Sequence, residues 1–399
     1  MIEQRPLDGV RVLDLSRVLA GPFCTMNLAD LGAEVIKIEV PIRGDDSRGY
    51  APRIPGSDDS GYFYSVNRGK QSLTLDLHKP EGAEILLALV GHADVVVENF
   101  SPGTMARFAL GYERLRAANP RIILCSISGF GQTGPMAAAP AYDIVAQALG
   151  GTMSITGSPD GEPTRCGVSI GDLTAALYGV VAILAALRAR DLTGDGQHLD
   201  IAMLDCQVAW LEDALARFSA SGRVPGRIGS RHPSITPFQE FRAADGYFVA
   251  GCGNESIWQR FCDAIGMGHL KTDGRFATNS ARTTRHGELE HLLMQRFASY
   301  PRAHWLELLE AAHVPCAAIA NVEEVSQNAH LRARDMLLNA EHPTFPNLLV
   351  PGSPLKTVGA GGSPNTHAPS LGEHTEDILA RLLGYDAAHV AELRAKQVI

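Results

Sequence analysis

Four short runs rich in Val and Ile, VRVLDL (10–15), EVIKIEV (34–40), DVVVENF (94–100) and RIILCSIS (121–128), alternate with helical patterns over 23–31, 80–90 and 103–118. Strands that are apolar along their whole length, separated by helices, satisfy one architecture above others: a parallel sheet covered on both faces. The N-terminal half is therefore expected to be an α/β domain. In open sheets of this kind ligands bind beyond the carboxyl ends of the strands, so the loops beginning at Ser16, Val40, Asn99 and Gly129 become the candidate places for a site.

The organisation changes after residue 221. The segment 222–237, GRVPGRIGSRHPSITP, is dense in Gly, Pro and Arg and reads as a linker leaving the first domain, 1–221. A smaller α+β unit over 238–330 follows. FQEFRAADGYFVAGC reads as a hairpin turned at Asp245 and Gly246, followed by helices at 256–265, 286–300 and 302–312. Over 331–399 the chain is read as a return linker, with proline-bearing extended stretches and a GAGG at 359–362. It ends in helices near 373–383 and 387–396 that pack on the large domain. A chain of 399 residues with 45% hydrophobic content suits two such domains.

Charge and thiols narrow the function classes. Asp and Glu total 44 against 35 Lys and Arg, and no basic cluster stands out, which argues against nucleic acid or an anionic membrane as partner. The first 20 residues carry charges throughout, and the apolar run 173–187 falls short of the roughly 20 residues that span a bilayer. Seven scattered cysteines with no Cys-x-x-Cys pair suit reduced thiols, so a cytoplasmic or organelle-matrix location is expected. His286 and His291 lack the spacing of a zinc hydrolase, and no metal site is implied.

Asp172 is the formally charged side chain inside CGVSIGDLTAALYGVVAILAAL, where an apolar segment turns into a helix over 173–187. It reads as the helix N-cap, and two roles remain open. It either accepts bonds from its own first turn, or it serves as a nucleophile that the first-turn amides and the helix dipole keep ionised. The stretch GFGQTG (129–134) matches a dinucleotide fingerprint and follows a strand, but Pro135 and Pro140 interrupt the helix such a motif requires. An NAD-dependent dehydrogenase stays as a hypothesis from another class.

Several blocks in fixed order resemble the class III CoA-transferases, the family of formyl-CoA transferase and carnitine CoA-transferase. They are LSRVLAGPFCTMNLADLGAEVIKIE (15–39), NRGKQSLTLDL (67–77), VENFSPG (97–103), SISGFGQTGP (126–135), AYD (141–143), GVSIGD (167–172) and HPSITPFQEF (232–241). Within the family the chain is most similar to transferases that pass CoA from succinyl-CoA to glutarate. The resemblance implies a large Rossmann-like domain, a smaller domain, and long linkers threading an interlocked homodimer. It implies ping-pong transfer with Asp172 as nucleophile, Asp143 assisting and Tyr142 beside it. Arg17, Val18, Leu19, Ala20, Leu75, Asn99, Phe100, Met105 and Arg107 are implied at the nucleotide, with no tightly bound cofactor and with acyl-CoA and a small carboxylic acid as substrates. Val40 and His78 stand where some relatives place basic groups, so Arg43, Arg48 and Lys70 are kept as substitutes.

Chemistry accords with that implication. A carboxylate of ordinary pKa about 3.9 is ionised near neutral pH, and a thiol of pKa about 8.5 leaves without a strong acid. Water must be kept out, and the two glycines of GCGNES, Gly251 and Gly253, suit a mobile cover. Related acyl-CoA racemases place a histidine where Tyr142 stands; a phenol of pKa about 10 is a poor base, which favours transfer over racemisation. A dicarboxylate needs a cation for its far carboxylate, for which Arg48, Arg227, Arg231 and His232 are available.

Overall fold

The computed structural model describes residues 5–57, 59–342, 345–356 and 365–399. The GAGG of 359–362 lies outside the described residues. The chain forms two compact units. One holds Met1–Thr152, Arg165–Ala216 and Asn328–Ile399, the other Met153–Thr164 and Arg217–Gln327.

The first unit is built on a six-stranded parallel sheet. Its strands are β1 (Arg11–Asp14), β2 (Glu34–Glu39), β3 (Lys70–Thr74), β4 (Val95–Glu98), β5 (Ile123–Ser128) and β6 (His198–Ala202). They are ordered β3-β2-β1-β4-β5-β6, with every neighbouring pair parallel. The four apolar runs are the central strands. The two edges, β3 (KQSLT) and β6 (HLDIA), escape hydropathy because each carries polar residues along its length. Alternate residues of each strand feed opposite cores. Leu13, Ile36, Val96 and Leu124 pack on one face, while Val12, Val35, Val95 and Ile123 pack on the other.

The helices of this unit are α1 (Ala20–Asp30), α2 (Gly61–Asn67), α3 (Pro80–Val90), α4 (Thr104–Arg107), α5 (Tyr112–Ala118), α6 (Asp143–Leu149), the short α7 (Thr152–Ile155), α8 (Ile170–Thr193), α9 (Met203–Ala209) and α10 (Ala214–Ser221). Units meet within α7 and α10. The predicted helix over 103–118 is two helices, broken by Ala109 at φ +56. The apolar segment after Cys166 is longer than the sequence reading allowed. At 24 residues, α8 is long and apolar enough to cross a bilayer by length and composition, with half of its apolar window buried inside the protein. It lies against α1 and β5. All seven cysteines are free thiols.

The second unit pairs β7 (Phe238–Arg242) with β8 (Tyr247–Gly251) and β8 with β9 (Cys316–Ala318), all antiparallel. Its helices are α11 (Glu255–Ala264), α12 (Asn279–Thr284), α13 (His286–Phe297), α14 (Arg302–Ala311) and α15 (Val322–Ser326), and α11, α13 and α14 pack on a core that includes Phe241, Phe248, Phe297 and Trp305. The stretch 222–237 is more than a linker. Gly229 N donates to Gly157 O at 2.9 Å and Arg227 Nη2 to Gly161 O at 2.7 Å, tying it to residues 153–164. Back in the first unit, α16 (Ala329–Ala333) and the hairpin of β10 (Leu337–Asn339) and β11 (Leu349–Pro351) precede α17 (Thr375–Leu383) and α18 (Ala387–Ala395). Ile378, Leu379, Val390 and Leu393 of these last helices enter the core that Leu13 and Val96 share.

At the carboxyl end of β1, beside the middle of β2 and the start of β3, lies a buried ionic network. Lys70 Nζ donates to Asp14 Oδ2 at 2.9 Å, to Asn67 Oδ1 at 2.8 Å and to Pro22 O at 3.0 Å. Asp14 also accepts from Ser16 Oγ, and from Thr25 Oγ1 at 2.7 Å. Lys37 Nζ meets Asp45 Oδ2 at 2.8 Å and Ser16 O at 2.9 Å. Burial alone would push the Asp14 carboxyl up, but Lys70 and Lys37 outweigh it and hold the group well below the usual carboxylate range. Lys70, kept above as a phosphate ligand, is thereby committed to the interior. Removing one partner of a buried pair leaves the other uncompensated. Lys70→Met is therefore expected to destabilise the protein by about 3–5 kcal/mol in urea unfolding; a loss under about 1 kcal/mol would show that the network is not what secures these strand ends.

Candidate active site

Strand order reverses between β1 and β4, and at such a switch point two loops diverge and leave a crevice. The loop after β1 bends sharply. Val18 sits at φ +68, a left-handed conformation that is a genuine outlier for a β-branched residue. Its surroundings impose it. Val18 N donates to both Asp45 oxygens at 3.1 and 3.2 Å. Arg17 N donates to Asn99 Oδ1, and Asn99 Nδ2 to Arg17 O, both at 2.8 Å. Gly21 completes the bend, since a Cβ there would lie 2.1 Å from that of Ser16. Asp45 carries no signal in the sequence beyond the polar run RGDDSRG.

Two cavities open on this crevice. The larger, about 750 Å³, is lined by Arg17, Leu75, Phe100 and Arg107 from the expected nucleotide set, and also by Arg43, His78, Lys79 and Arg114. The smaller, about 340 Å³, is lined by Arg17, Val18, Leu19, Ala20, Asn99 and Phe100 together with Tyr142, Asp143 and Asp172. Arg17, Phe100 and Ser101 border both, so a basic chamber and an acidic one share a wall. Met105 is the exception among the expected residues. It is 7% exposed in the core and lines neither cavity.

Asp172 is the third residue of α8, and Ser169 occupies the N-cap. Its carboxylate is therefore not the cap the sequence predicts. Among the described residues no donor is hydrogen-bonded to it, and burial together with the nearby Asp143 charge pushes it up to about 7. The expectation that first-turn amides hold it ionised fails because neighbouring amides are engaged elsewhere: Gly171 N donates to Asp143 Oδ1 at 2.7 Å, Ile170 N to Val168 O at 2.9 Å and Leu173 N to Ser169 O at 3.0 Å. Asp143 Oδ2 accepts from Gln147 Nε2 at 2.7 Å and lies 3.9 Å from Arg165 Nη2. Tyr142 caps α6 and is 82% exposed at the smaller cavity, and no histidine is among the described residues lining that cavity. Tyr62, which the sequence reading passed over, is pushed up to about 12 by burial and by the Asp172 charge, so its phenol stays protonated.

Other expected residues serve the fold. Arg48 forks onto Glu39 at 2.7 and 2.8 Å, donates to Pro369 O at 3.0 Å, and stacks 3.7 Å over the Phe63 ring, which leaves it no fork for a substrate. Arg227 is spent on backbone carbonyls, as above. Arg231 and His232 belong to the second unit, where His232 Nδ1 accepts from Ser234 N at 3.0 Å and its ring meets Phe238. Gly251 lies within strand rather than in the open loop expected of a cover. It ends β8, paired with Phe238, and Asn254 then caps α11 by accepting from Ile257 N at 2.9 Å. Gly253 lies in the short turn between, with open space where a side chain would project. After β5 the GFGQTG stretch runs into an irregular segment, and no helix begins until Asp143, so the phosphate-binding turn of a dinucleotide site does not form.

A crevice at a switch point, with a carboxylate at the head of a helix and a basic chamber next to it, defines an α/β protein equipped to hold a phosphorylated ligand beside a reactive acid. The family model described as CoA-transferase family III matches residues 7–375, and the chain belongs to that family. It is 44% identical over 355 residues to the acetyl-CoA:oxalate CoA-transferase of Acetobacter aceti, covering 89% of this chain and 90% of that one. It is 40% identical over 395 residues to the succinyl-CoA:glutarate CoA-transferase of Mus musculus, covering 99% and 90%. A crystal structure of a CAIB/BAIF family protein from Brucella suis superposes with a TM-score of 0.85 at 40% identity, covering 95% of this chain and 100% of that one. The protein is an enzyme that transfers CoA.

Two consequences follow from the raised Asp172 group. With Asp172 as the nucleophile that the resemblance implies, which must be ionised to attack, kcat/KM for the acyl-CoA donor is expected to rise with pH and level off above about 7, and Asp143→Asn should move that limb to lower pH. A limb that stays put, or moves up, would show that Asp143 does not set it. For stability the sign is opposite: folding favours the protonated form, so the ionised group costs stability as pH rises out of the ordinary carboxylate range. Asp172→Asn is expected to raise the melting temperature near pH 8 and to leave it unchanged near pH 4.

Proposed function

We propose that the enzyme moves CoA from succinyl-CoA to a C4 to C6 dicarboxylic acid such as glutarate, with Asp172 as the nucleophile. The observation that carries this reading is the shared wall of the two cavities, which lets one extended thioester lay its phosphates among Arg43, His78, Lys79 and Arg107 while its carbonyl reaches Asp172. The ionised Asp172 attacks the thioester carbon, the C–S bond breaks, and CoA leaves as thiolate from a mixed anhydride. The thiolate then attacks the aspartyl carbonyl of that anhydride, expelling succinate and leaving an aspartyl-CoA thioester, and the acceptor acid runs the two steps in reverse. No separate base is needed, because neither nucleophile carries a proton to remove.

The two curated relatives named above act on acids of different length, oxalate and glutarate, but both acids carry two carboxylates, which supports a dicarboxylate here. Arg48 is already forked onto Glu39, whereas Arg17 lines the smaller cavity with its side chain 52% exposed, 3.3 Å from Asp46 and 5.6 Å over the Phe100 ring. We also place the active enzyme as an interlocked homodimer, a reading supported by exposed Leu177, Tyr178 and Val181 on α8 and Trp210 after α9. Seven free thiols support a reducing, cytoplasmic setting.

An acceptor screen following succinyl-CoA loss by chromatography tests the substrates: glutarate and its C4 to C6 homologues are expected to be used, and exclusive use of oxalate or of a monocarboxylate overturns the assignment. Asp172→Ala is expected to lower transfer at least roughly 10³-fold, and unchanged transfer removes Asp172 from the mechanism. In deuterium oxide the proton alpha to the thioester is expected to stay in place; its exchange would indicate a racemase.

A further inference from the structure

The segment that delivers Asp172, residues 166–171, has no strand or helix of its own until α8 begins at Ile170, and it contains Gly167 and Gly171. A nucleophile at the end of such a segment needs an external frame. The structure supplies one from a single helix. Gln147 is fully buried on α6, one turn after Asp143, so the two side chains lie on the same helix face. Both ends of its amide are used. Nε2 donates to Asp143 Oδ2 at 2.7 Å, and Oε1 accepts from Cys166 N at 2.9 Å. Asp143 in turn takes Gly171 N on its other oxygen at 2.7 Å. One end of the delivering segment is thus pinned by the glutamine, and the other by the carboxylate that the glutamine orients. The second pin depends on glycine, since a Cβ on Gly171 would lie 2.9 Å from Asp143 Oδ1.

We propose that Gln147 is a positioning residue for Asp172, closing with Asp143 a two-point clasp on residues 166–171; this rests on reading Asp172 as the nucleophile. Gln147 lines neither cavity, so it is placed to act through Asp143 and the segment 166–171. Its effect is on where the attacking oxygen lies and on holding the Asp143 charge beside it. Loss of the clasp leaves CoA binding in place and takes away the rate of attack, because displacement by about 1 Å costs on the order of 10²-fold in rate. A buried glutamine with a purely packing role would instead lower folded protein, binding and turnover together.

Rapid-quench acylation of the full-length protein with succinyl-CoA, read as mass gained on Asp172, tests this in Gln147→Ala and Gln147→Glu. The alanine variant loses both bonds. The glutamate variant keeps an oxygen for Cys166 N but cannot donate to Asp143 when ionised. Both are expected to acylate roughly 10- to 100-fold more slowly with KM for succinyl-CoA within about threefold of wild type. Acylation within about threefold of wild type in either variant, or a KM that rises in step with the loss, overturns the proposal. Hydrogen exchange of a peptide spanning 165–173 provides a readout independent of chemistry. It is expected to quicken at least roughly tenfold in Gln147→Ala with β1 and β4 unchanged, and unchanged exchange overturns the clasp whether or not Asp172 is acylated. Absence of any adduct on wild-type Asp172 alongside quickened exchange overturns the assigned nucleophile and leaves the clasp standing.

Discussion

A carboxylate with no access to water, Asp14 at the end of β1, is the constraint from which the crevice follows. Alone it would be expelled or protonated; it persists because Lys70 and two hydroxyls meet it. The same lysine holds Pro22 O at the start of α1, and the neighbouring Lys37 holds Ser16 O and Asp45. Asp45 then grips Val18 N. Each contact passes a fixed position outward, from a strand end to a loop that would otherwise relax out of its left-handed bend. The loop is held by anchors that are themselves buried ions, whose partners are not readily exchanged for water.

The distribution of charge across the first unit divides the work. Lys37, Lys70 and Arg48 are spent inside the protein on Asp45, Asp14 and Glu39. The larger chamber is lined by Arg17, Arg43 and Arg107, with Arg114 paired to Glu84 and Lys79 donating to Lys396 O and Gln397 O at its edge. Asp143 and Asp172 face the smaller one. An overall net charge of -9 therefore coexists with a locally basic cavity, and long-range attraction would play little part in loading it with an anion. The ligand must be held by direct contacts, which is consistent with a cavity large enough to surround it.

Much of this was legible in the sequence, and the failures share a cause. The four central strands announced themselves because a strand buried on both faces must be apolar throughout, and Asp172 stood out because a charge within an apolar run needs a reason. What escaped depended on partners distant in the chain. The edges β3 and β6 carry polar residues that only the network or solvent explains. Arg48 looks like a substrate fork until Glu39 is seen to fill it, and Met105 looks like a ligand contact until the core closes around it. Gly251 suggested a moving loop, but its pairing with Phe238 makes it strand. Asp45 and Gln147 gave no signal, because a residue that works by holding another has no motif of its own. The shift of Asp172 was also missed, since local helix rules place amides around it, of which Asp143 has already taken Gly171 N.

That shift bears directly on reactivity. A carboxylate asked to displace a thiolate works uphill, because its ordinary pKa of about 3.9 lies far below the roughly 8.5 of a thiol. Each pKa unit by which the nucleophile becomes more basic narrows the gap by about 1.4 kcal/mol. In the mechanism we propose, burial against Asp143, with no donor hydrogen-bonded to it among the described residues, moves Asp172 to about 7 and so brings it closer to the thiolate leaving group in basicity while still partly ionised at neutral pH. A capped, well-solvated aspartate would be more stable and a poorer nucleophile. The structure gives up folding stability at this residue and retains it in the network under β1, and the two sites are linked by the same crevice that the strand order opens.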